Sequence, residues 1–201
     1  MNTFIEINNY FATTLNNFIL ENNLEKCIWK MSDAPIFFLP IFLILAWIFY
    51  SYKKSPLQRG DLEGTKKLNL LNIVYWVILA IIINIIIQNI VKIDRPESLV
   101  KPILEHIPDA SFPSDHAAVS FAFLTWLFLS WYKKIWYIFS IFVIIMNFSR
   151  IAWGIHWFFD VIAWAFIWIL SSIFVFKYLK NTKFIINLNN FIIKTLNYIK
   201  L

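Results

Sequence analysis

The sequence predicts an all-α bundle of about five or six membrane-spanning helices, and three observations carry that reading. Of 201 residues, 60% are hydrophobic and only 15% charged, a balance too apolar for an ordinary water-soluble domain. Five apolar runs reach, or nearly reach, the roughly 20 residues that a membrane helix needs. Ten tryptophans and eight tyrosines suit a bilayer with a wet interface on each side. No internal repeat or low-complexity linker interrupts the pattern, so residues 1–201 read as one integral-membrane domain.

The elements follow in order. The first 26 residues lack the basic start and long apolar run of a cleavable leader. Phe4, Ile7, Phe11, Leu15 and Phe18 recur at steps of three and four. That is the stripe of an amphipathic helix lying on the membrane, and residues 1–30 are assigned to such an outer segment. The first span runs from about Ala34 to Tyr52, with an earlier start open; Pro35 and Pro40 are tolerated there as proline is in membrane helices. The second runs from about Leu68 to Val91, the third from Ser114 to Tyr132, the fourth from Ile135 to Trp153 and the fifth from Ile155 to Phe176. Residues 182–201 are Asn-rich and amphipathic, and read as a tail helix on the cytoplasmic surface.

Charge sets the orientation. With the link between the first two spans inside, twelve of the eighteen Lys and Arg residues are cytoplasmic, including Lys53, Lys54, Arg59, Lys66, Lys67, Lys133 and Lys134. Lys26, Lys30, Lys92, Arg95, Lys101 and Arg150 are outside, and three of those fall in polar clusters described below. The positive-inside bias therefore accounts for the net charge of +6 better than nucleic acid does, and no compact basic patch with interleaved aromatics is present. The single Cys27 excludes an internal disulfide and makes no metal site alone; packing is a sufficient reason for it.

Three polar clusters meet at the expected outer face: Lys92-Ile93-Asp94-Arg95-Pro96, Ser111-Phe112-Pro113-Ser114-Asp115-His116, and the segment from Ser149 to Asp160. Ionisable groups are costly at membrane depth and usually mark function there. His156 and Asp160 are four apart and would share a face if both were helical. A carboxylate beside an imidazole fixes its tautomer and raises its basicity, as a nucleophile or base requires. Arg150 offers a permanently charged planar fork that matches phosphate oxygens. Pro113 and Ser114 just ahead of an apolar run mark a helix start, whose unpaired N–H groups and dipole favour an anion. His116 in the first turn reaches such an anion and can protonate a leaving oxygen.

Blander readings stand beside these. His156 alone would suit a satisfied structural histidine, and Arg95, Arg150 and Lys92 would suit interfacial anchors. Ser149 can merely cap or pack; Asp115 suits a cap of the third span better than a catalyst. Glu105 and His106 read as solvated, with a head-group contact open. Asn84 and Gln88 share a helix face, for which helix–helix hydrogen bonding is sufficient.

The clusters resemble those of the type 2 phosphatidic acid phosphatase superfamily of membrane lipid phosphatases. Its pattern is Lys, six residues, Arg-Pro; then Pro-Ser-Gly-His; then Ser-Arg, five residues, His, three residues, Asp. Here the matches are Arg95-Pro96, Pro113-Ser114-Asp115-His116, and Ser149-Arg150 with His156 and Asp160 at the family spacing. Two positions depart: Gln88 stands where the motif has lysine, with Lys92 one turn away as a substitute, and Asp115 replaces the motif glycine. The form Ser-Phe-Pro-Ser-Asp-His is similar to a subgroup, the undecaprenyl-diphosphatases of the bacitracin-resistance type.

The resemblance implies a helical membrane enzyme with catalytic His156, Asp160 and His116. His156 would attack phosphorus, oriented by Asp160, and His116 would protonate the leaving lipid phosphate and then activate water. Arg95, Arg150, Ser114 and Lys92 would hold phosphoryl oxygens, with backbone N–H groups at Asp115 and His116 helping. No metal or other cofactor is expected, since no carboxylate cluster offers a magnesium site. The implied partners are a polyprenyl or other lipid phosphate and membrane lipids, not nucleic acid. The implied place is the inner membrane, with the site facing the periplasm or outside. Undecaprenyl diphosphate is the first-ranked substrate, with a role in cell-wall (peptidoglycan) carrier recycling. Lipid A 1-phosphate, phosphatidylglycerophosphate and phosphatidic acid are rivals. A non-catalytic lipid-phosphate binder or transporter and a phosphotransferase between lipids are the alternatives of other classes.

Overall fold

The structure, a computed structural model, describes residues 3–52, 60–96, 99–100, 110–130 and 133–198. Glu105, His106, Lys101 and the basic residues Lys53, Lys54 and Arg59 lie outside the described residues. The described residues are all-α, with no strand among them. The helices are α1 (Thr3–Glu21), α2 (Glu25–Tyr52), α3 (Gly60–Ile90), α4 (Asp115–Leu129), α5 (Lys133–Ala152), α6 (Phe158–Phe174) and α7 (Lys183–Tyr198), with a π-helical turn at Val175–Leu179 after α6.

Four helical stretches are long and apolar enough to cross a membrane: Glu25–Phe49, Lys67–Ile90, Lys133–Ala152 and Phe158–Leu179. The first starts well before Ala34, because Glu25 to Asp33 are helical despite their polarity. The third expected span is shorter than the sequence suggests. At 15 residues, α4 covers only about 22 Å, against roughly 30 Å of hydrocarbon.

That short helix is the centre of the bundle. It packs against α6, α3 and α5, and nearly every side chain from Ala117 to Leu127 is buried. Ala117, Ala118 and Ala122 are fully buried, and such small residues let neighbouring helices approach closely. Phe123, Trp126, Trp164 and Trp168 fill the remaining space. Two polar pairs bond across helices inside the bundle: Trp76 Nε1 donates to Ser172 Oγ at 2.6 Å, and Asn147 Nδ2 to Ser120 Oγ at 3.3 Å. The outward faces of α2, α3 and α5 carry exposed Phe, Ile and Leu, as a lipid-facing surface requires. The chain is a multi-pass membrane protein.

The amphipathic α1 does form, and it has a definite seat. It packs on α5 and α6; Asn16 Nδ2 donates to the Ala152 carbonyl at 3.0 Å, and the Phe159 N–H donates to Asn8 Oδ1 at 3.1 Å. Both bonds grip the link between α5 and α6. The tail helix α7 also forms, and Asn189 Nδ2 reaches Asn72 Oδ1 of α3 at 3.5 Å.

Candidate active site

Three irregular segments are tied together at one end of the bundle: 91–96 after α3, 110–114 before α4, and 153–157 between α5 and α6. The Ser111 N–H donates to the Ile93 carbonyl at 2.7 Å. Trp157 Nε1 donates to the Asp94 carbonyl at 2.8 Å, and Arg95 Nη1 donates to the Ile155 carbonyl. The first cluster is thus cross-linked to the other two, and Ser111 ties the second to the third through Asp160 and His156.

The link 153–157 decides where His156 points. Helix α5 ends at Ala152, and Gly154 turns the chain at φ +84°. That left-handed value favours glycine, and a Cβ there would stand 2.6 Å from Val100 Cγ2. Helix α6 restarts only at Phe158, with Trp157 as its N-cap. His156 therefore lies outside any helix, and the expected i, i+4 face shared with Asp160 does not exist. Asp160, at the third helical position, accepts the Trp157 backbone N–H at 3.0 Å, one half of a capping box. It also accepts the Ser111 hydroxyl. His156 Nδ1 lies 2.8 Å from the Ser111 carbonyl. A carbonyl only accepts, so Nδ1 carries the proton and Nε2 the lone pair. The expected orienting carboxylate thus acts at one remove: Asp160 holds Ser111, and Ser111 holds His156.

His156 is 2% exposed. Burial is the main cause that holds its pKa well below the ordinary 6.5, with the charges of Arg150 and Arg95 next. The ring is therefore neutral near pH 7. Its Nε2 lies 3.5 Å from Arg150 Nη2. Arg150, in the last turn of α5, is 6% exposed.

The loop 110–114 delivers His116. Ser114 is the N-cap of α4, and its hydroxyl accepts the Ala117 N–H at 3.4 Å. That corrects the expectation that Asp115 caps the helix: Asp115 sits in the first turn. Its exposed carboxylate turns towards α3, where Asn84 Nδ2 and Gln88 Nε2 (3.4 Å) donate to it. Both amides also reach the Pro113 carbonyl, at 3.5 and 3.1 Å, and Trp164 Nε1 donates to Asn84 Oδ1. Asn84 and Gln88 are thus helix–helix bonds, and the start of α4 is level with the last two turns of α3. The N–H groups of Asp115 and His116 remain the ones a helix start cannot use internally.

The predicted residues are not all assembled. His156, Asp160, Arg95, Arg150, Ser114 and His116 converge with the backbone of Asp115. Lys92 is exposed at the end of α3, and no described contact brings it to the others. Ser149 bonds back to the Ile145 carbonyl of its own helix at 2.7 Å. Two residues escaped sequence reasoning. Ser111 was legible only as a neighbour of the Pro-Ser-Asp-His run. Asp33, in α2, accepts from Arg150 Nη1 at 2.7 Å and lies 3.3 Å from His116 Nε2. A lone carboxylate at the head of an apolar run was its signal. A cleft of about 540 Å³ opens over this group, walled by Asp33, Phe37, Ile85, His116, Arg150 and Trp153. Among the described residues no group of three or more His, Cys, Asp or Glu could hold a metal ion.

Residues 69–184 match the family model described as the PAP2 superfamily. The chain belongs to that superfamily. Among curated relatives, the "Bacitracin transport permease protein BcrC" of Bacillus licheniformis is 28% identical over 159 residues, 76% of this chain and 70% of that protein. An "Undecaprenyl-diphosphatase" of Sulfolobus acidocaldarius is 32% identical over 113 residues, 55% of this chain; the match spans only 53% of that relative. Two solved structures share the fold. One is a transmembrane PAP2-type phosphatidylglycerolphosphate phosphatase from Bacillus subtilis, with TM-score 0.65 and 21% identity over 92% of this chain and 90% of that one. The other is Aquifex aeolicus LpxE, with TM-score 0.58 and 22% identity over 89% and 97%. The PAP2 match covers all three polar clusters whole, and all of α4 to α6.

Proposed function

We propose that this PAP2 protein is a metal-independent lipid phosphatase whose preferred substrate is undecaprenyl diphosphate, acting as one integral-membrane unit. The observation that carries the reading is the placement of two imidazoles around one guanidinium. His156 Nε2 faces Arg150 Nη2 at 3.5 Å, while His116 Nε2 and Arg150 Nη1 meet at a single carboxylate oxygen. A phosphoryl group held by Arg150 has a neutral nucleophile on one side and an acid on the other.

In the first step a P–N bond forms at His156 Nε2 and the bond from phosphorus to the leaving oxygen breaks. His116 gives its proton to the lipid monophosphate that departs. In the second step His116 takes a proton from water, the water oxygen bonds to phosphorus, and the P–N bond breaks to release inorganic phosphate. Arg150, Arg95, Ser114 and the α4 N-terminus oppose the charge that builds on the phosphoryl oxygens. The protein supplies cations where other phosphatases use a metal ion.

The choice of lipid rests on the Ser-Phe-Pro-Ser-Asp-His form and on the name of one curated relative, the undecaprenyl-diphosphatase. The charge bias of the loops supports a site facing the periplasm or outside, from the inner membrane.

The test is phosphate release from undecaprenyl diphosphate by detergent-solubilised protein with EDTA present, beside His156→Ala. Release by wild type alone supports the histidine mechanism. Loss of release under EDTA removes metal independence. Release from phosphatidylglycerophosphate or lipid A in preference to undecaprenyl diphosphate keeps the phosphatase and changes the substrate. No release from any of these lipids favours a non-catalytic binder, with Gln88 in place of the motif lysine as the departure to blame.

A further inference from the structure

Asp33 belongs to none of the three motifs, yet it joins the two halves of the site. It follows buried Ser32 in α2. Its Oδ1 accepts from Arg150 Nη1 at 2.7 Å and lies 3.3 Å from His116 Nε2, and Ser32 Oγ accepts from the same Nη1 at 3.3 Å. These are the donors the reaction calls on: Arg150 for a phosphoryl oxygen, His116 for the leaving oxygen. One carboxylate oxygen bridging them is an anion at the position where a phosphoryl oxygen would make the same two bonds.

Two further observations separate this arrangement from a structural ion pair. The Asp33 side chain is 39% exposed and lines the cleft, so it has room to move. Arg150 Nε and His116 Nδ1 are buried without a hydrogen-bond partner among the described residues, so Asp33 saturates neither group. The anchor is therefore incomplete where a permanent one would be expected to use the remaining donors.

Resting on the phosphatase reading, we propose that Asp33 is a built-in competitor for phosphate. It holds Arg150 and His116 through the anion's own positions, gives way to a phosphorylated head group, and returns as inorganic phosphate leaves. A phosphate and a carboxylate cannot take the same donors, and their like charges repel at this range. A head group anchored by its lipid tail as well displaces Asp33 more readily than free phosphate does, because the tail adds binding that inorganic phosphate lacks. Asp33 is thus a positioning residue that sets affinity and eases product release; it does not take part in bond making.

The experiment uses the full chain in detergent and inorganic phosphate as the probe. It reads the phosphate-induced rise in Tm, the phosphate inhibition constant, and KM and kcat for the lipid diphosphate in wild type, Asp33→Asn and Asp33→Glu. Phosphate is expected to bind Asp33→Asn about tenfold more tightly, equal to about 1.4 kcal/mol. KM should fall in parallel and kcat should not rise; Asp33→Glu should restore weak phosphate binding. Equal phosphate affinity in wild type and Asp33→Asn overturns the proposal and leaves the phosphatase reading intact. Weaker binding in Asp33→Asn overturns it too, and makes Asp33 a structural support of the anion site. No response to phosphate in either protein overturns the proposal; if lipid turnover is absent as well, the phosphatase reading falls with it. If Asp33→Asn fails to fold, Asp33→Ser is read against the same outcomes.

Discussion

The two histidines of the site are held in opposite ways. His156 is 2% exposed and bonded through Nδ1 to a main-chain carbonyl, in a link clamped by α1, Arg95 and Ser111. His116 has a side chain 20% exposed, and its described partner is the Asp33 carboxylate of α2. One ring is locked by backbone; the other is held by a side chain that can leave. The difference suits their proposed tasks. A nucleophile must present one nitrogen, unprotonated, in one direction throughout the cycle. An acid that becomes a base must exchange its proton with a departing group and then with water, so it needs an open side and an exchangeable partner.

The comparison can be broken at several points, in descending order of expected effect. His156→Ala should lower kcat by roughly 10⁴-fold or more while the protein still folds, because a missing nucleophile has no stand-in. Phosphate release and Tm measured on one preparation decide this; substantial residual turnover would sink the assignment. His116→Gln should cost about 10²–10⁴-fold in kcat, the usual worth of a general acid–base group. Its loss should shrink for a substrate with a better leaving group, such as a nitrophenyl phosphate ester, whereas the His156→Ala loss should not.

Asp160→Asn tests the indirect geometry. A carboxylate bonded directly to a catalytic histidine can be worth about 10⁴-fold in kcat. Acting through Ser111, Asp160 should be worth only about 10–100-fold, as an outer partner usually is. Ser111→Ala keeps the carbonyl that accepts from His156 and should fall in the same range or below. A loss of 10⁴ in Asp160→Asn would mean that carboxylate and ring meet directly during turnover.

The smallest effect is on acid stability. The folded-state pKa of His156 is depressed, chiefly by burial, below its ordinary 6.5. As pH falls through 6.5 the unfolded chain gains a proton that the folded protein refuses. Stability from this group is therefore complete above that pH and declines in the acid window below it. The Tm of wild type should fall more steeply between pH 7 and 5 than that of His156→Gln; parallel curves would show that the ring is protonated in the fold.

Much of this protein is legible in one dimension. The apolar runs give five of its helices, and the 3.6-residue stripe of Phe4 to Phe18 gives α1, because hydrophobic periodicity is a local property. The candidate site residues are legible for a different reason: buried charge in an apolar chain is too costly to be incidental. The misreadings share a cause as well. The shared face of His156 and Asp160 presumes one helix through both, and α6 begins only at Phe158. The capping role given to Asp115 ignores Asn84 and Gln88, which are 31 and 27 residues away and compete for its carboxylate.

What the sequence determined by itself is the composition of the bundle, the order of its helices and the identity of the charged residues at one end. These follow from spacing and transfer free energy, which act between near neighbours. What only the tertiary structure decided is the partnership among those residues. Ser111 meets His156 across 45 positions, and Asp33 meets Arg150 across 117. Those bonds exist because helix packing brings α2, α4 and α5 together at one cleft. No local pattern encodes which donor a buried carboxylate will find there.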